Sequence, residues 1–317
     1  MIAAQETRDS RASKLVELAN ARVLAAARIG ADEQLAAALE RALQRLIKAE
    51  TPERSMVLIP ILACEWAGGE PEAALSAAAA WRSLHLASKC IDDVVDGDAL
   101  RVGGLAGLAR VADIGLAMYS TSTLCLEDMP RAARDETAQC IHRTVKRMLS
   151  GQYREHTAGE GDTVEECLHT IGEKAGAFFE LGVMMGIRSS GSRCGGEGTA
   201  RAAGYAAGVF RQLSDDLLGL RQEGPAGDVA NGRRKLPMAY ALSVASQEEA
   251  DQLRALMELV STAPSAEADV RNLMWKLGAE AYMQFQMALH RERTLTCMRD
   301  AGGDPKLAQD LGEALLG

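Results

Sequence analysis

The sequence predicts an all-α protein, and three observations carry that prediction. Apolar residues recur at i, i+3 and i+4 along almost the whole chain, the spacing of one helix face. The strongest helix formers (Ala, Leu, Glu, Arg and Met) are abundant. Aromatics are few, three Trp, five Tyr and four Phe in 317 residues, which leaves little to build sheet faces and nearly excludes an all-β fold.

Helices are expected over 11–29, 32–48, 54–67, 71–97, 105–127, 131–157, 164–189, 199–223, 234–246, 248–262, 266–299 and 304–316. Gly30 parts the first two, and Thr51-Pro52 parts the second from the third. Pro60 lacks the amide that a helix interior needs, so it kinks the third helix or moves its start. Gly68-Gly69 ends that helix, Met129-Pro130 opens the one over 131–157, and Gly159 to Gly161 close it. Ser189 to Gly198 is Gly-rich but lacks the G-x-x-x-x-G-K-[ST] pattern and precedes no strand, so it reads as a helix connection rather than a phosphate loop. Pro225 to Gly227 close the helix over 199–223, and Met274, Met283, Met287 and Met298 are packing positions near the end of the chain. No fixed-period repeat or long polar linker divides the chain, so a single large helical domain over 1–317 is expected, with 1–10 a flexible tail.

Lys+Arg 35 against Asp+Glu 44 gives a net charge of −9, which disfavours nucleic-acid binding, since phosphates need a basic face. An anionic substrate must then be held by local basic groups or by metal ions. Seven scattered Cys without a C-x-x-C pattern point to neither a disulfide framework nor a thiolate zinc site. The polar N-terminus argues against a secretory signal, and the longest apolar run, Met56 to Cys64, falls short of the roughly 20 residues of a membrane span. A soluble cytoplasmic protein with no membrane span is expected.

Two acidic clusters carry the chemistry. In Cys-Ile-Asp92-Asp93-Val-Val-Asp96-Gly-Asp98, Asp92 and Asp96 share one helix face, with Asp93 beside them. Like charges at that spacing destabilise a helix unless something binds them. Carboxylates without His or Cys suit a hard cation, Mg²⁺ or Mn²⁺; the alternative is an exposed acidic helix end. In Gln212-Leu-Ser-Asp215-Asp216-Leu-Leu-Gly219-Leu-Arg-Gln-Glu223, positions 215, 219 and 223 again share a face, and Gly219 admits a ligand or backbone closely. Two such faces in apolar sequence suggest two walls of one metal-lined cavity.

With these motifs the chain resembles the trans-isoprenyl diphosphate synthase superfamily from about residue 52 to 240. The Asp-rich motif followed by a basic stretch is Asp92-Asp93-Val-Val-Asp96-Gly-Asp-Ala-Leu-Arg101-Val102-Gly103. The segment Ile61 to Gly69, then Gly151-Gln152, Glu173-Lys174-Ala-Gly176, Gln212 to Gly219, and Asp228 with Gly232-Arg233 and Leu236-Pro237 match further blocks in order. The resemblance implies an isoprenoid synthase fold, a helical bundle around a central cavity, working as a homodimer. It implies three Mg²⁺ bridging Asp92, Asp93, Asp96, Asp215 and Asp216 to an allylic isoprenoid diphosphate, with Arg101, Lys174, Arg233 and Gln212 on the substrate. Small residues at Ala87 and Ser88, one turn before Asp92, imply a deep pocket and so a farnesyl or geranylgeranyl substrate.

The departures point to a particular activity. Three basic positions that hold isopentenyl diphosphate in chain-elongating members are here Glu53, Met56 and Val102, and only Arg54 and His85 remain of that site. Each lost charge-assisted contact is worth about 1.5–3 kcal/mol. A Lys expected before Asp228 is replaced by Gly224, and the second motif loses its last Asp at Gly219. Asp215-Asp-Leu-Leu-Gly219-Leu-Arg-Gln-Glu223 resembles instead the second metal motif of class I terpene synthases, with Glu223 supplying the missing carboxylate. Ionisation retained with the second substrate site lost is the profile of a class I terpene synthase. The alternatives are a chain-elongating prenyltransferase and a non-catalytic partner subunit. Trp81, Phe178, Phe179, Phe210 and Tyr240 are candidate cation-facing aromatics, though core packing explains each more simply. Lys89 either pairs with an acidic neighbour or faces solvent, and Arg233-Arg234-Lys235 reads as a surface run apart from Arg233.

Overall fold

The computed structural model describes residues 2–157, 163–191, 195–224, 227–231, 235–260, 262–263 and 265–317, and among these there is no strand. The helices are α1 (Ile2–Ala27), α2 (Glu33–Lys48), α3 (Leu58–Trp66), α4 (Leu75–Val95), α5 (Asp98–Leu124), α6 (Arg131–Thr157), α7 (Val164–Ile171), α8 (Ala177–Ser189), α9 (Glu197–Arg221), α10 (Leu236–Val244), α11 (Gln247–Val260), α12 (Ala266–Lys276), α13 (Ala279–Asp300) and α14 (Pro305–Leu316). Short 3₁₀ turns, Pro52–Arg54 and Pro71–Ala74, lead into α3 and α4, and a π turn, Gly172–Gly176, joins α7 to α8.

The predicted helices are present, with instructive differences at their ends. The first begins at Ile2, inside the stretch expected to be a tail. Pro60 moves a boundary rather than kinking a helix: α3 starts at Leu58, so Pro60 falls in the first turn, where no amide partner is needed. The single helix expected over 266–299 is two. Gly278 at φ +86° adopts the left-handed conformation and separates α12 from α13, while both bury apolar residues, so the periodicity runs on across the break.

The core is built around α8, whose residues from Ala177 to Ile187 are all buried except Glu180. A helix apolar all round belongs at the centre of a bundle. Close packing there depends on Gly186, where a Cβ would stand 2.7 Å from Ala63 Cβ of α3. On the α4 side, Trp81 stacks on Phe178 at 4.6 Å and meets Phe179 edge-on at 5.8 Å, and its Nε1 donates to the Phe178 carbonyl at 3.1 Å. A smaller core, with Met238, Leu253, Val270 and Met274, ties α10 to α13 and supports the connection that follows α9.

No disulfide joins the described cysteines. By length and composition one described helix, α5, is apolar enough to cross a membrane, at a mean hydropathy of 1.2. The expectation of no span came from uninterrupted apolar runs, which α5 avoids by interspersing Gly, Arg110 and Asp113. Its backbone breaks at Gly104, and its Gly115 packs closely on Cys90 of α4.

Candidate active site

The first acidic cluster sits where α4 ends. Asp96 caps the helix, its amide donating to the Asp92 carbonyl at 2.8 Å, and Gly97 at φ +76° turns the chain into α5. Asp92 is half-buried and Asp93 and Asp96 are exposed, while Leu86, Ala87 and Cys90 of the same helix are buried. Burial pushes the Asp92 carboxyl up; Lys174 opposes this, and Asp96 and Glu155 add to it. Asp93 is also pushed up by burial, against the pull of Lys89. Arg101, at the start of α5, pairs with Asp98 and donates from Nη1 to Asn231 Oδ1 at 2.9 Å, tying the loop after α9 to this corner.

The second cluster lies on the last turns of α9. Asp215 is exposed and Asp216 is 2% exposed. Burial pushes the Asp215 carboxyl up, while Lys89, Lys235 and Arg211 pull it down. Lys89 acts on Asp92 and Asp93 of α4 and on Asp215 of α9, so both acidic clusters lie within electrostatic range of the same ammonium. Lys174, on the π turn, is ion-paired with Glu155 of α6 and acts on Asp92; a Cβ on Gly151 would meet its Cγ at 2.8 Å.

Asp216 is not a free carboxylate. Its Oδ1 accepts from Gln212 Nε2 at 3.0 Å and from Lys235 Nζ at 2.9 Å, and the same Nζ lies 3.2 Å from Asp228 Oδ2. Burial pushes the Asp216 carboxyl up against these donors. Lys235 is shifted upward because Asp216 and Asp228 outweigh its own burial. Sequence reasoning read Lys235 as part of a surface run and gave Asp228 no ligand role. The sequence held no signal for this pairing, since Lys235 stands 19 residues after Asp216.

Glu223 requires a correction. The row 215, 219, 223 assumed a helix running to 223, but α9 ends at Arg221 and Gln222 is extended (φ −75°, ψ 133°). Glu223 instead pairs with Arg271 of α12 at 3.1 Å. The carboxylate packed over Gly219 is that of Asp228, whose Cγ would stand 2.7 Å from a Cβ at 219.

Around the expected second substrate site, Val102 is 91% exposed, and Met56 packs against the main core. The Glu53 side chain and Arg233 lie outside the described residues. Arg54 is exposed at the end of its 3₁₀ turn. His85 is held neutral, its pKa pushed down to about 3 by burial and by Arg82, Lys89 and Arg211. Arg82, unremarked in the sequence, is 1% exposed and binds both oxygens of Glu50 through Nη1 at 2.7 and 2.8 Å. Its Nε and Nη2, and His85 Nδ1, are buried without a hydrogen-bond partner. Arg211, also missed, donates to the carbonyls of Leu315 and Ala314 and lies 5.5 Å over the Phe179 ring. Phe178 belongs to the aromatic core and is 5% exposed, with its ring 6.0 Å from that of His85; Ala87 is buried and Ser88 Oγ donates to the His85 carbonyl.

Among the described residues, no three His, Cys, Asp or Glu side chains converge into a closed ligand set. A cation here would therefore need ligands from outside the chain, as Mg²⁺ takes when it is held by one or two carboxylates together with substrate phosphates. Open carboxylates in both clusters, interleaved with Lys89 and Lys174, can bind a polyanion bridged by divalent cations.

The sequence profile of the polyprenyl synthetase family matches residues 37–277. A curated relative, geranylgeranyl pyrophosphate synthase 10, mitochondrial, of Arabidopsis thaliana, is 33% identical over 187 residues, 52% of this chain and 53% of that protein. The chain thus spans about half the length of the first curated relatives it matches. Among solved structures, geranylgeranyl pyrophosphate synthetase from Pyrococcus horikoshii Ot3 superposes with a TM-score of 0.81 at 19% identity, covering 99% of both chains. Polyprenyl synthase from Caulobacter crescentus CB15, complexed with calcium and isoprenyl diphosphate, gives 0.77 at 22% identity and 98% of both chains.

Proposed function

The chain belongs to the polyprenyl synthetase family and has the isoprenoid synthase fold, and from that premise we propose that it is a chain-elongating prenyltransferase that ionises an allylic isoprenoid diphosphate and joins it to isopentenyl diphosphate. The observation that carries the reading is the polyprenyl synthetase match over residues 37–277, which spans both acidic clusters, Asp92/Asp93/Asp96 at the end of α4 and Asp215 on α9.

The donor set fits Mg²⁺ or Mn²⁺, held by Asp92, Asp93, Asp96 and Asp215. When bound, the metal neutralises the diphosphate and acts as a Lewis acid toward it. Lys89 and Lys174 add positive charge to the same space and orient the diphosphate between α4 and α9. The prenyl chain lies toward Ala87 and the buried apolar face of α4, where water is excluded from the allylic carbon. Arg54 on its 3₁₀ turn, Lys89 of α4 and Arg211 of α9 supply the positive charge for the second diphosphate, and His85, held neutral, adds a hydrogen-bonding ring rather than a charge.

Terpene synthase activity is the second reading. It is favoured by Val102 and Met56, which place no charge where the second diphosphate is expected. Its other support, Glu223 as a metal ligand, is weakened by the Glu223–Arg271 pair. The two readings separate in one assay with farnesyl or geranylgeranyl diphosphate and Mg²⁺. Longer diphosphates formed only when isopentenyl diphosphate is added support elongation. A hydrocarbon or alcohol formed without it overturns elongation in favour of the terpene synthase, and no pyrophosphate from any allylic substrate ends both. A cytoplasmic homodimer completes the proposal, with the exposed apolar side chains of α5, Leu105 at 78% and Leu116 at 68%, as its contact face.

A further inference from the structure

The second acidic cluster already contains a cation of its own. Lys235 Nζ lies 2.9 Å from Asp216 Oδ1 and 3.2 Å from Asp228 Oδ2, and both carboxylates are buried, 2% and 7% exposed. Asp228 reaches this position because residue 219 is glycine. The lysine is anchored at its backbone. Its carbonyl accepts the amides of Met238 and Ala239 as α10 begins, and the next residue, Leu236, is 1% exposed. Lys235 also feels Glu155, the partner of Lys174, and Lys174 acts on Asp92. Charges therefore alternate from one cluster to the other: Asp92, Lys174, Glu155, Lys235, then Asp216 and Asp228.

A divalent ion at this cluster would compete with an ammonium that already satisfies the same oxygens through charge-assisted hydrogen bonds. The buried carboxylates are tolerated because that charge is present. Asp215, one residue away, is exposed and makes neither of these contacts.

We propose that Lys235 is a resident cation standing in for a divalent ion in the second acidic cluster, so that Asp215 is the carboxylate there that meets an incoming metal–diphosphate. This rests on the reading of the site as one for a metal-bridged diphosphate. It lowers the expected uptake from the three ions implied by the family resemblance, because one cation is built into the chain.

The test counts Mn²⁺ bound per chain in the presence of inorganic pyrophosphate, by equilibrium dialysis with electron paramagnetic resonance of the free ion. The whole chain is compared with Lys235→Gln and, separately, with Asp228→Asn. The Gln variant is expected to bind one more Mn²⁺ than the unsubstituted chain, and added Mn²⁺ should raise its melting temperature more. Asp228→Asn, which retains the lysine, is expected to leave the count unchanged, and this arm stands even if Lys235→Gln does not fold. Equal counts in the Gln variant and the unsubstituted chain overturn the proposal. So does a Gln variant with an unchanged count and weakened pyrophosphate binding, since the lysine would then be a diphosphate ligand. Loss of one ion in Asp228→Asn overturns it too. If the unsubstituted chain takes up no Mn²⁺ with pyrophosphate, the functional reading itself fails, a result distinct from uptake with equal counts.

Discussion

Replacing Gly219 by Ala sets two opposed effects against each other, and the structure decides the sign. In an ordinary helix the change is stabilising by about 1 kcal/mol, because Ala has the better helix propensity. Here the new Cβ would lie 2.7 Å from Asp228 Cγ, within a residue that is 7% exposed, so the carboxylate must leave its place. That breaks the Lys235–Asp228 contact at 3.2 Å. A hydrogen bond to a charged group is worth about 1.5–3 kcal/mol, so the net expectation is a loss of roughly 0.5–2 kcal/mol. Urea denaturation of Gly219→Ala, Asp228→Ala and the double variant closes a thermodynamic cycle. The double variant should be more stable than the two single losses predict, by about 1 kcal/mol or more, since without the carboxylate the methyl has nothing to displace. A stabilised Gly219→Ala, or additive effects in the cycle, would refute the packing of Asp228 over residue 219.

Further expectations follow from the same geometry. Asp92→Asn should lower the rate of pyrophosphate release by at least about 100-fold, the scale on which loss of a pre-organised electrostatic group is felt; Glu223→Gln, which touches only the salt bridge to Arg271, should leave the rate within a factor of about 2. Leu116→Glu on the exposed side of α5 should give a monomer by light scattering after size-exclusion chromatography, where the unsubstituted chain gives a dimer. The Arg147 hydrogen bonds hold the Glu173 carboxyl below its ordinary value of 4.5, against a smaller effect of burial. Its contribution to stability is thus present above pH 4.5 and lost as pH falls through the lowered value, so Glu173→Gln should lose less melting temperature than the unsubstituted chain between pH 7 and pH 3. His85, with its pKa at about 3, should keep a constant ring proton chemical shift between pH 5 and 8 in NMR spectra.

Much of the fold was legible because it rests on local periodicity. Helix positions and the end of α4 at Asp96-Gly97 follow from residue spacing and from Gly or Pro punctuation. Periodicity failed where two helices share one apolar register across a turn, as at Gly278, and where a helix ends without a strong signal, as at Arg221. The second failure moved Glu223 from the metal row to Arg271, because one extended residue, Gln222, rotates everything after it out of the helical repeat.

The candidate site divides in the same way. By itself the sequence determined the all-helical class, the two acidic motifs and the basic residues near them, since carboxylate spacing on a helix is set by the helix repeat. Only the tertiary structure decided which charges are neutralised. Lys235 stands 19 residues after Asp216, and nothing in that separation foretells that the start of α10 brings its ammonium between Asp216 and Asp228. Lys89 likewise could face solvent or an acid until α9 was packed against the space beside α4. Coulomb energy depends on distance through space and on burial, and neither is set until the helices pack.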